Sequence, residues 1–289
     1  MTARKPLNYP KAAPQPKSVT YGSVTYEDSY QWLEENSEET VAWQSQQDAL
    51  ATNYVRGLPN YASFLESELK QTKASSLGVV TPSYAGGRWF RSWTPDGEKF
   101  NVVEVSDHPT NRGRRLMDFN VGATDDEPRK IDSITPSPDG RKIIVVWSHS
   151  GHECQNLEVL DVESGDVLVK GIPQISPVWM AWLHDSSGFY YTAYDPKLSM
   201  TDIRTFLYRL GQPAPVQPED LEQTHPMMFP RRSADGRHMF IVADHLNQRP
   251  DYIRDASQDG PWQPFLKGVP SAFRGDIIDD RDIAITTDD

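Results

Sequence analysis

The pattern of apolar positions changes near residue 78. Before this point apolar residues recur at helical spacing, and four of them define one helix face: Tyr61, Phe64, Leu65 and Leu69. After it, short β-branched and aromatic runs alternate with Gly, Asp and Pro, as in strands joined by tight turns. The sequence therefore predicts a helical N-terminal segment followed by an array of strands.

The helical segment has recognisable boundaries. Asn36 or Ser37 can accept hydrogen bonds from the first free amides of a helix. Gly57 and Pro59 supply a stop signal after Arg56. Upstream, prolines fix φ and remove donors, which predicts an extended arm lying over other residues; they are Pro6, Pro10, Pro14 and Pro16.

The helical segment carries more apolar surface than two short helices can bury against each other. We therefore expect residues 1–70 to contribute no sheet of the array. We also expect several large side chains to be only partly covered, namely Trp32, Trp43, Leu50 and Tyr54.

A turn-plus-strand unit recurs along the rest of the chain. "SPDGRKIIVVWSH", "HDSSGFYYTAYD" and "SADGRHMFIVADH" each place a polar turn with glycine before an apolar run. Their glycines, Gly140, Gly188 and Gly236, are 48 residues apart each time, which predicts equivalent hairpin turns. A further strand is expected 16 to 18 residues after each glycine, at 157–160, 205–208 and 252–253.

An earlier copy aligns when Gly87 is set against Gly140, which makes "TPDG" the following hairpin. A period near 50 residues with four strands per unit is typical of β-propeller blades. Four blades are expected at 78–119, 131–169, 178–217 and 227–266, and "FRGDIIDDRDIAITTDD" supplies two strands of a fifth. The predicted fold is mainly β, a partial propeller of about four and a half blades.

The chain resembles the prolyl oligopeptidase family of serine peptidases. The resemblance rests on "YGSVTYEDSYQWLEENSEETVAWQSQQDALA", "SPDGRKIIVVWSHSGHECQNLEVLDVESG" and "WMAWLHDSSGFYYTAYD", which occur in the family's order. It implies that residues 1–74 belong to an α/β-hydrolase peptidase domain and that residues 75–289 are an incomplete form of a seven-bladed propeller. It also implies cleavage of short peptides, after proline in the best-known branch, with the propeller gating access.

The family's G-x-S-x-G nucleophile elbow does not occur in this sequence, so the resemblance assigns no catalytic residue to this chain. The peptidase domain would have to be supplied in cis or in trans. If Asp289 is the true end, we expect an open sheet edge and no catalysis by the chain alone. The alternative is a non-catalytic propeller that acts as a binding or regulatory module, with the strands of "SVTYGSVTYE" completing its half blade.

Composition narrows the remaining possibilities. Lys and Arg number 29 against 41 Asp and Glu, a net charge of −12, which disfavours nucleic acid; the short run Arg112–Arg115 is interpreted as a solvated turn. Cys154 is the single cysteine, so no intrachain disulfide can form. No stretch is long and apolar enough for a membrane span, and a cytoplasmic protein is expected.

No cofactor, metal or catalytic residue is predicted. The sequence contains seven histidines but no motif that would place a nucleophile with any of them. They are at positions 108, 149, 152, 184, 225, 238 and 245. "HSGHEC", His149 to Cys154, contains metal-ligand types but is better interpreted as a polar loop, and Cys154 as an inert thiol. Packing between blades is the preferred role of the strand aromatics Trp89, Trp93, Trp147, Trp182, Tyr190 and Tyr191.

Overall fold

The computed structural model divides the chain into two compact units, Met1–Ser76 and Leu77–Asp289. The residues it describes are 7–75, 82–122, 124, 128–149, 155–175, 179–194, 203–233, 235–258 and 260–269, together with four two-residue strands between 273 and 287. None of the helices in these ranges is long and apolar enough to cross a membrane.

The described part of the first unit contains a hairpin and three helical segments: β1 (Lys17–Tyr21), β2 (Val24–Asp28), a 3₁₀ turn (Gln31–Glu34), α1 (Glu38–Arg56) and α2 (Tyr61–Ser75). Ser37 is the residue that caps α1, because its side chain accepts from the Thr40 amide. The predicted end after Arg56 is confirmed. β1 and β2 form a two-stranded sheet of their own, so the expectation that they complete a half blade is wrong.

The proline-rich arm packs along the helical segments of its own unit. Trp32 Nε1 donates to the carbonyl of Ala13 at 3.0 Å, and Gln47 Nε2 donates to that of Pro10 at 3.1 Å. These bonds confirm an arm that lies over other residues. Even so, Thr40 is the one buried residue of α1. The four large side chains expected to be partly covered are all half-buried or exposed, which confirms that prediction.

In the described residues of the second unit, four antiparallel sheets have strands that pair in chain order. Sheet 1 contains β3 (Ser83–Ala85), β4 (Arg88–Trp93), β5 (Val102–Ser106) and β6 (Arg114–Asp118). Sheet 2 contains β7 (Arg129–Pro136), β8 (Lys142–His149), β9 (Gln155–Asp161) and β10 (Val167–Ile175). Sheet 3 contains β11 (Met180–Trp182), β12 (Gly188–Tyr194) and β13 (Ile203–Arg209). Sheet 4 contains β14 (Met228–Arg232), β15 (His238–Ala243), β16 (Arg249–Asp255) and β17 (Gln263–Pro264).

Most of the predicted register is confirmed. Gly86 and Gly87 join β3 to β4, and "TPDG" lies in the next hairpin, between β4 and β5. The strands expected 16 to 18 residues after each repeat glycine are β9, β13 and β16. The sequence predicted two strands at the end of the chain. The described residues there lie in two nested pairs of a single antiparallel register, the pairing that two such strands would make: β18 (Phe273–Arg274) with β21 (Thr286–Thr287) and β19 (Ile277–Ile278) with β20 (Asp282–Ile283).

Sheet 3 differs from the prediction because its fourth strand is reduced to one bridge. Leu207 and Val216 exchange both backbone hydrogen bonds, at 2.8 and 2.9 Å, and the pairing goes no further. Prolines at 213, 215 and 218 surround Val216 and have no amide to donate.

Each inner sheet buries apolar side chains on both faces. Along β8, Ile143 and Val145 pack with sheet 1, whereas Ile144 and Val146 pack with sheet 3. Met239 and Ile241 of β15 likewise face sheet 3. The apolar run that predicted a strand is therefore a strand buried on both sides, as stacked blades require.

Candidate functional site

The turns that join the first and second strands of successive sheets touch one another. Gly86 has φ +54°, and a Cβ built on it would lie 2.0 Å from the carbonyl oxygen of Asp139. Gly140 has φ +65°, and its Cβ would lie 2.6 Å from the carbonyl oxygen of Ala85. Glycine at both positions is therefore what lets the turns of sheets 1 and 2 meet backbone to backbone.

The contacts continue to sheets 3 and 4 through side chains. The Asp139 amide donates to Ser186 Oγ at 3.3 Å, and Arg232 Nη2 lies 3.4 Å from His184 Nδ1. The four turns thus form a continuous row. We call it the turn row, residues 85–88, 137–142, 183–188, and 233 with 235–238.

Gly188 does not occupy the position predicted for it. In the second and fourth turns the amides of Gly140 and Gly236 each donate to the carbonyl oxygen of the serine three positions earlier, at 2.9 Å. In the third turn the amide of Ser186 makes the corresponding bond, at 3.1 Å, and Ser186 has φ +60°. Gly188 instead opens β12, so the equal spacing found the right hairpin but was wrong by two residues in register.

An aspartate stabilises each of the last three turns. Asp139 and Asp235 each accept from the hydroxyl of the serine two residues earlier, at 2.6 Å, and from the amide two residues later, at 3.0 Å. Asp185 accepts from the amide and hydroxyl of Ser187, at 3.0 and 2.7 Å. Such bonds fix tight turns without a regular ladder.

These turn-row aspartates have lowered pKa values. Burial would raise the pKa of Asp139, but hydrogen bonds from Ser137 and the Arg141 amide outweigh it. The Ser187 hydroxyl lowers the pKa of Asp185, and the Ser233 hydroxyl lowers that of Asp235. A general acid at neutral pH needs a raised pKa, so these carboxylates act as structural acceptors rather than as proton donors.

Among the described residues, no serine hydroxyl is hydrogen-bonded to a histidine ring. The hydroxyl that contacts a histidine ring belongs to a threonine. Thr110 Oγ1 lies 3.0 Å from His108 Nδ1, and the Thr110 amide donates to the same nitrogen at 3.3 Å. In a Ser-His-Asp triad the histidine instead accepts from the serine hydroxyl on one nitrogen and donates to a carboxylate from the other. The same residues contain no group of three or more His, Cys, Asp or Glu side chains placed to hold a metal.

The candidate residues from the sequence are dispersed. His149 packs edge-on against Trp147, with ring centroids 4.9 Å apart, while residues 150–154, including Cys154, lie outside the described residues. Packing between sheets is confirmed for Trp147, Trp182, Tyr190 and Tyr191.

Two of the strand aromatics have other partners. Trp89 contacts Tyr84, and the Trp93 ring centroid lies 5.0 and 5.1 Å from the Cζ atoms of Arg91 and Arg112. The basic run is also more than a solvated turn, because its last two residues, Arg114 and Arg115, begin β6.

The sequence of sheets and the helical segment before it match a known domain. The model of the prolyl oligopeptidase N-terminal β-propeller domain matches residues 10–287. The chain belongs to the prolyl oligopeptidase family. The match includes nearly all of both units, so the family's β-propeller fold applies to the sheets described above.

Individual relatives are distant and longer. The prolyl endopeptidase of Elizabethkingia meningoseptica is 23% identical over 280 residues, which is 92% of this chain and 39% of the relative. The dual function macrocyclase-peptidase POPB of Amanita bisporigera is 24% identical over 86% of this chain and 39% of its own length. The chain thus spans about two fifths of the length of these relatives.

Solved structures show the same fold. Prolyl oligopeptidase B from Galerina marginata, bound to a 35mer hydrolysis and macrocyclization substrate, superposes with a TM-score of 0.69 at 20% identity. The superposition covers 98% of this chain and 44% of that one. Oligopeptidase B from Leishmania major has a TM-score of 0.61 at 12% identity, over 94% of this chain and 41% of that one.

Proposed function

We propose that this chain forms the N-terminal region of a serine-type endopeptidase that hydrolyses short peptides. The observation that carries the proposal is the family match over residues 10–287, a range that includes parts of both units. Relatives named prolyl endopeptidases align over nearly the whole chain, and this supports peptides as the substrate class.

In this proposal residues 1–74 belong with the peptidase domain and residues 75–289 with the propeller. The support comes from the exposed apolar side chains of α2, because Phe64 is 64% and Leu69 is 56% exposed. Surface of this kind favours a partner, and an α/β-hydrolase domain in cis or in trans would cover it.

Each of sheets 1 to 4 corresponds to one blade of a seven-bladed propeller, and the nested strand pairs at 273–287 begin a fifth. The blades would restrict access to the catalytic site, so that only short peptides enter. The contacts along the turn row support this role, because a barrier must keep neighbouring blades in fixed positions.

Catalysis would come from a Ser-His-Asp triad in the hydrolase domain. The 289-residue sequence contains no G-x-S-x-G, and activity needs both an activated nucleophile and an oxyanion hole. We therefore expect the chain to position and select peptides rather than to cleave them.

The test is hydrolysis of a chromogenic proline peptide by the purified 289-residue chain, alone and after addition of the C-terminal peptidase domain of the Elizabethkingia meningoseptica enzyme. We expect turnover only in the mixture, with a fluorophosphonate labelling the added domain alone. A domain variant whose nucleophilic serine is replaced by alanine serves as the control.

Two results would contradict the proposal. A labelled serine inside residues 1–289, with turnover by the chain alone, would place catalysis in this chain. Failure of the chain to bind any hydrolase domain, combined with tight peptide binding, would favour a non-catalytic propeller module.

A further inference from the structure

A cleft of about 440 Å³ lies between sheet 1 and the β9–β10 turn of sheet 2. Its lining includes three arginines, Arg88, Arg112 and Arg114, and two acidic residues, Asp107 and Glu163. The cleft therefore carries an excess of positive charge in a chain whose net charge is −12. Such a local reversal of sign attracts anions.

Two of the guanidinium groups converge on consecutive residues of the β9–β10 turn. Arg88 Nη2 lies 3.3 Å from Glu163 Oε2, and Arg114 Nη2 donates to the carbonyl oxygen of Val162. Glu163 therefore provides the carboxylate next to the Arg88 guanidinium group, and its side chain is 84% exposed. An exposed ion pair of this length contributes little to stability. A free oxyanion could therefore displace Glu163 at low cost.

The cleft is also rigid on its sheet 1 side. Gly113 approaches the strand so closely that a Cβ would lie 2.0 Å from the carbonyl oxygen of Val105. The loop before it is held by Ser106, whose hydroxyl accepts from the His108 amide at 3.1 Å and also contacts the His108 carbonyl. These contacts hold the backbone of Arg114 at the start of β6, beside the cleft, and limit the ordering that a ligand would have to impose.

We propose that this cleft binds an oxyanion, a carboxylate or phosphate group, through Arg88 and Arg114, and that Glu163 occupies the site when no ligand is bound. Guanidinium groups suit this role because their paired N–H donors match two oxygens at once. The proposal concerns residues of sheets 1 and 2 only, and it stands whether or not the chain works with a peptidase domain.

The experiment measures binding to the 289-residue chain by calorimetry at low salt. One probe is inorganic phosphate, and the other is a short peptide with a free C-terminal carboxylate, compared with its amide. The variants are Arg88→Gln, Arg88→Lys and Glu163→Gln. Arg141→Gln is the matched control, because it removes one exposed positive charge outside the cleft.

We expect opposite effects from the two partners of the ion pair. Loss of Arg88 should weaken binding about tenfold, since a charge-assisted hydrogen bond contributes about 1.5 kcal/mol. The affinity of Arg88→Lys for the probe should lie between those of the wild type and Arg88→Gln, because lysine keeps the positive charge but lacks the paired N–H donors. Glu163→Gln should tighten binding several-fold, and Arg141→Gln should change it less than about twofold.

The two probes identify the source of the oxyanion. Binding of the peptide acid but not of its amide assigns a carboxylate, and binding of phosphate alone assigns a phosphate. The proposal is overturned if neither probe binds saturably. It is also overturned if Glu163→Gln weakens binding, or if Arg88→Gln leaves it unchanged while the urea midpoint shows that the variant is folded.

Discussion

Replacing Gly86 by alanine should separate the turns of sheets 1 and 2, whereas the same change at Gly87 should not. The two glycines are adjacent, and both have positive φ, +54° and +78°. Only Gly86 faces the neighbouring turn. A Cβ there would meet the Asp139 carbonyl oxygen at 2.0 Å and the Gly140 nitrogen at 2.5 Å, while at Gly87 nothing lies within 4 Å.

The difference between the two variants measures the contact itself. Alanine in a left-handed conformation costs about 1–2 kcal/mol, and both variants carry this cost. At Gly86 the new carbon would also have to move more than about 1 Å to reach an ordinary contact distance. Both opposing atoms are backbone, so the turns must part. Overpacking of this kind adds about 1–3 kcal/mol, for a total of roughly 2–5 kcal/mol.

The assay is urea unfolding at about 25 °C, followed by circular dichroism and tryptophan fluorescence, for the wild type, Gly86→Ala and Gly87→Ala. We expect the midpoint of Gly86→Ala to fall well below that of Gly87→Ala, with similar slopes. Equal midpoints for the two variants would show that the turns of sheets 1 and 2 do not meet as described, and the turn row would then lose its first contact.

Three further predictions concern other parts of the chain. Trp182→Phe should destabilise the propeller unit by about 1–2 kcal/mol in urea, because Nε1 donates to the half-buried carbonyl of Thr135 at 2.9 Å, and an unchanged midpoint would contradict this. The turn-row aspartates have folded pKa values below the unfolded value of about 3.9, so their stabilisation is full well above that value. It is lost only as the pH falls below about 3.9 and through the folded pKa values, and urea midpoints that fall steeply below about pH 4 would reveal the loss. Phe64→Ser and Leu69→Ser together should leave the free energy of unfolding within about 0.5 kcal/mol of wild type but reduce binding of a hydrolase domain, and a large loss of stability would show that these exposed side chains pack within the chain.

Local turn chemistry made most of the fold predictable. Paired glycines and the "PDG" turns fixed the hairpins because positive φ and aspartate side-chain bonds act over a few residues. The same reasoning failed in sheet 3. There Ser186, at φ +60°, takes the position that glycine holds in the neighbouring turns, supported by the Asp185 bonds to Ser187. A serine in this conformation leaves no signal in the glycine spacing.

The cleft could not be predicted because its groups are distant in sequence. Arg88 and Glu163 are 75 residues apart and are brought together by the packing of sheet 1 on sheet 2. The position of Arg114 depends on an irregularity in the β5–β6 pairing between Val103 and Glu104. This irregularity sets which residues of β6 lie opposite β5. Register shifts of this kind change the direction of every later side chain, and composition carries no information about them.

The two ends of the sheet array are chemically different, and this bears on how it is stabilised. The inner sheets have apolar side chains on both faces, so each depends on its neighbours, as in other repeat arrays. Sheet 1 also carries a buried ion pair, in which Glu104 is 4% exposed and accepts from Arg91 at 2.7 Å. At the other end, sheet 4 has an apolar cluster around Phe229 and Phe240. The Arg91–Glu104 pair lies between two strands of the same sheet, so sheet 1 satisfies both of its buried charges by itself. Phe229 and Phe240 are 2% and 1% exposed, so sheet 4 depends on apolar burial instead.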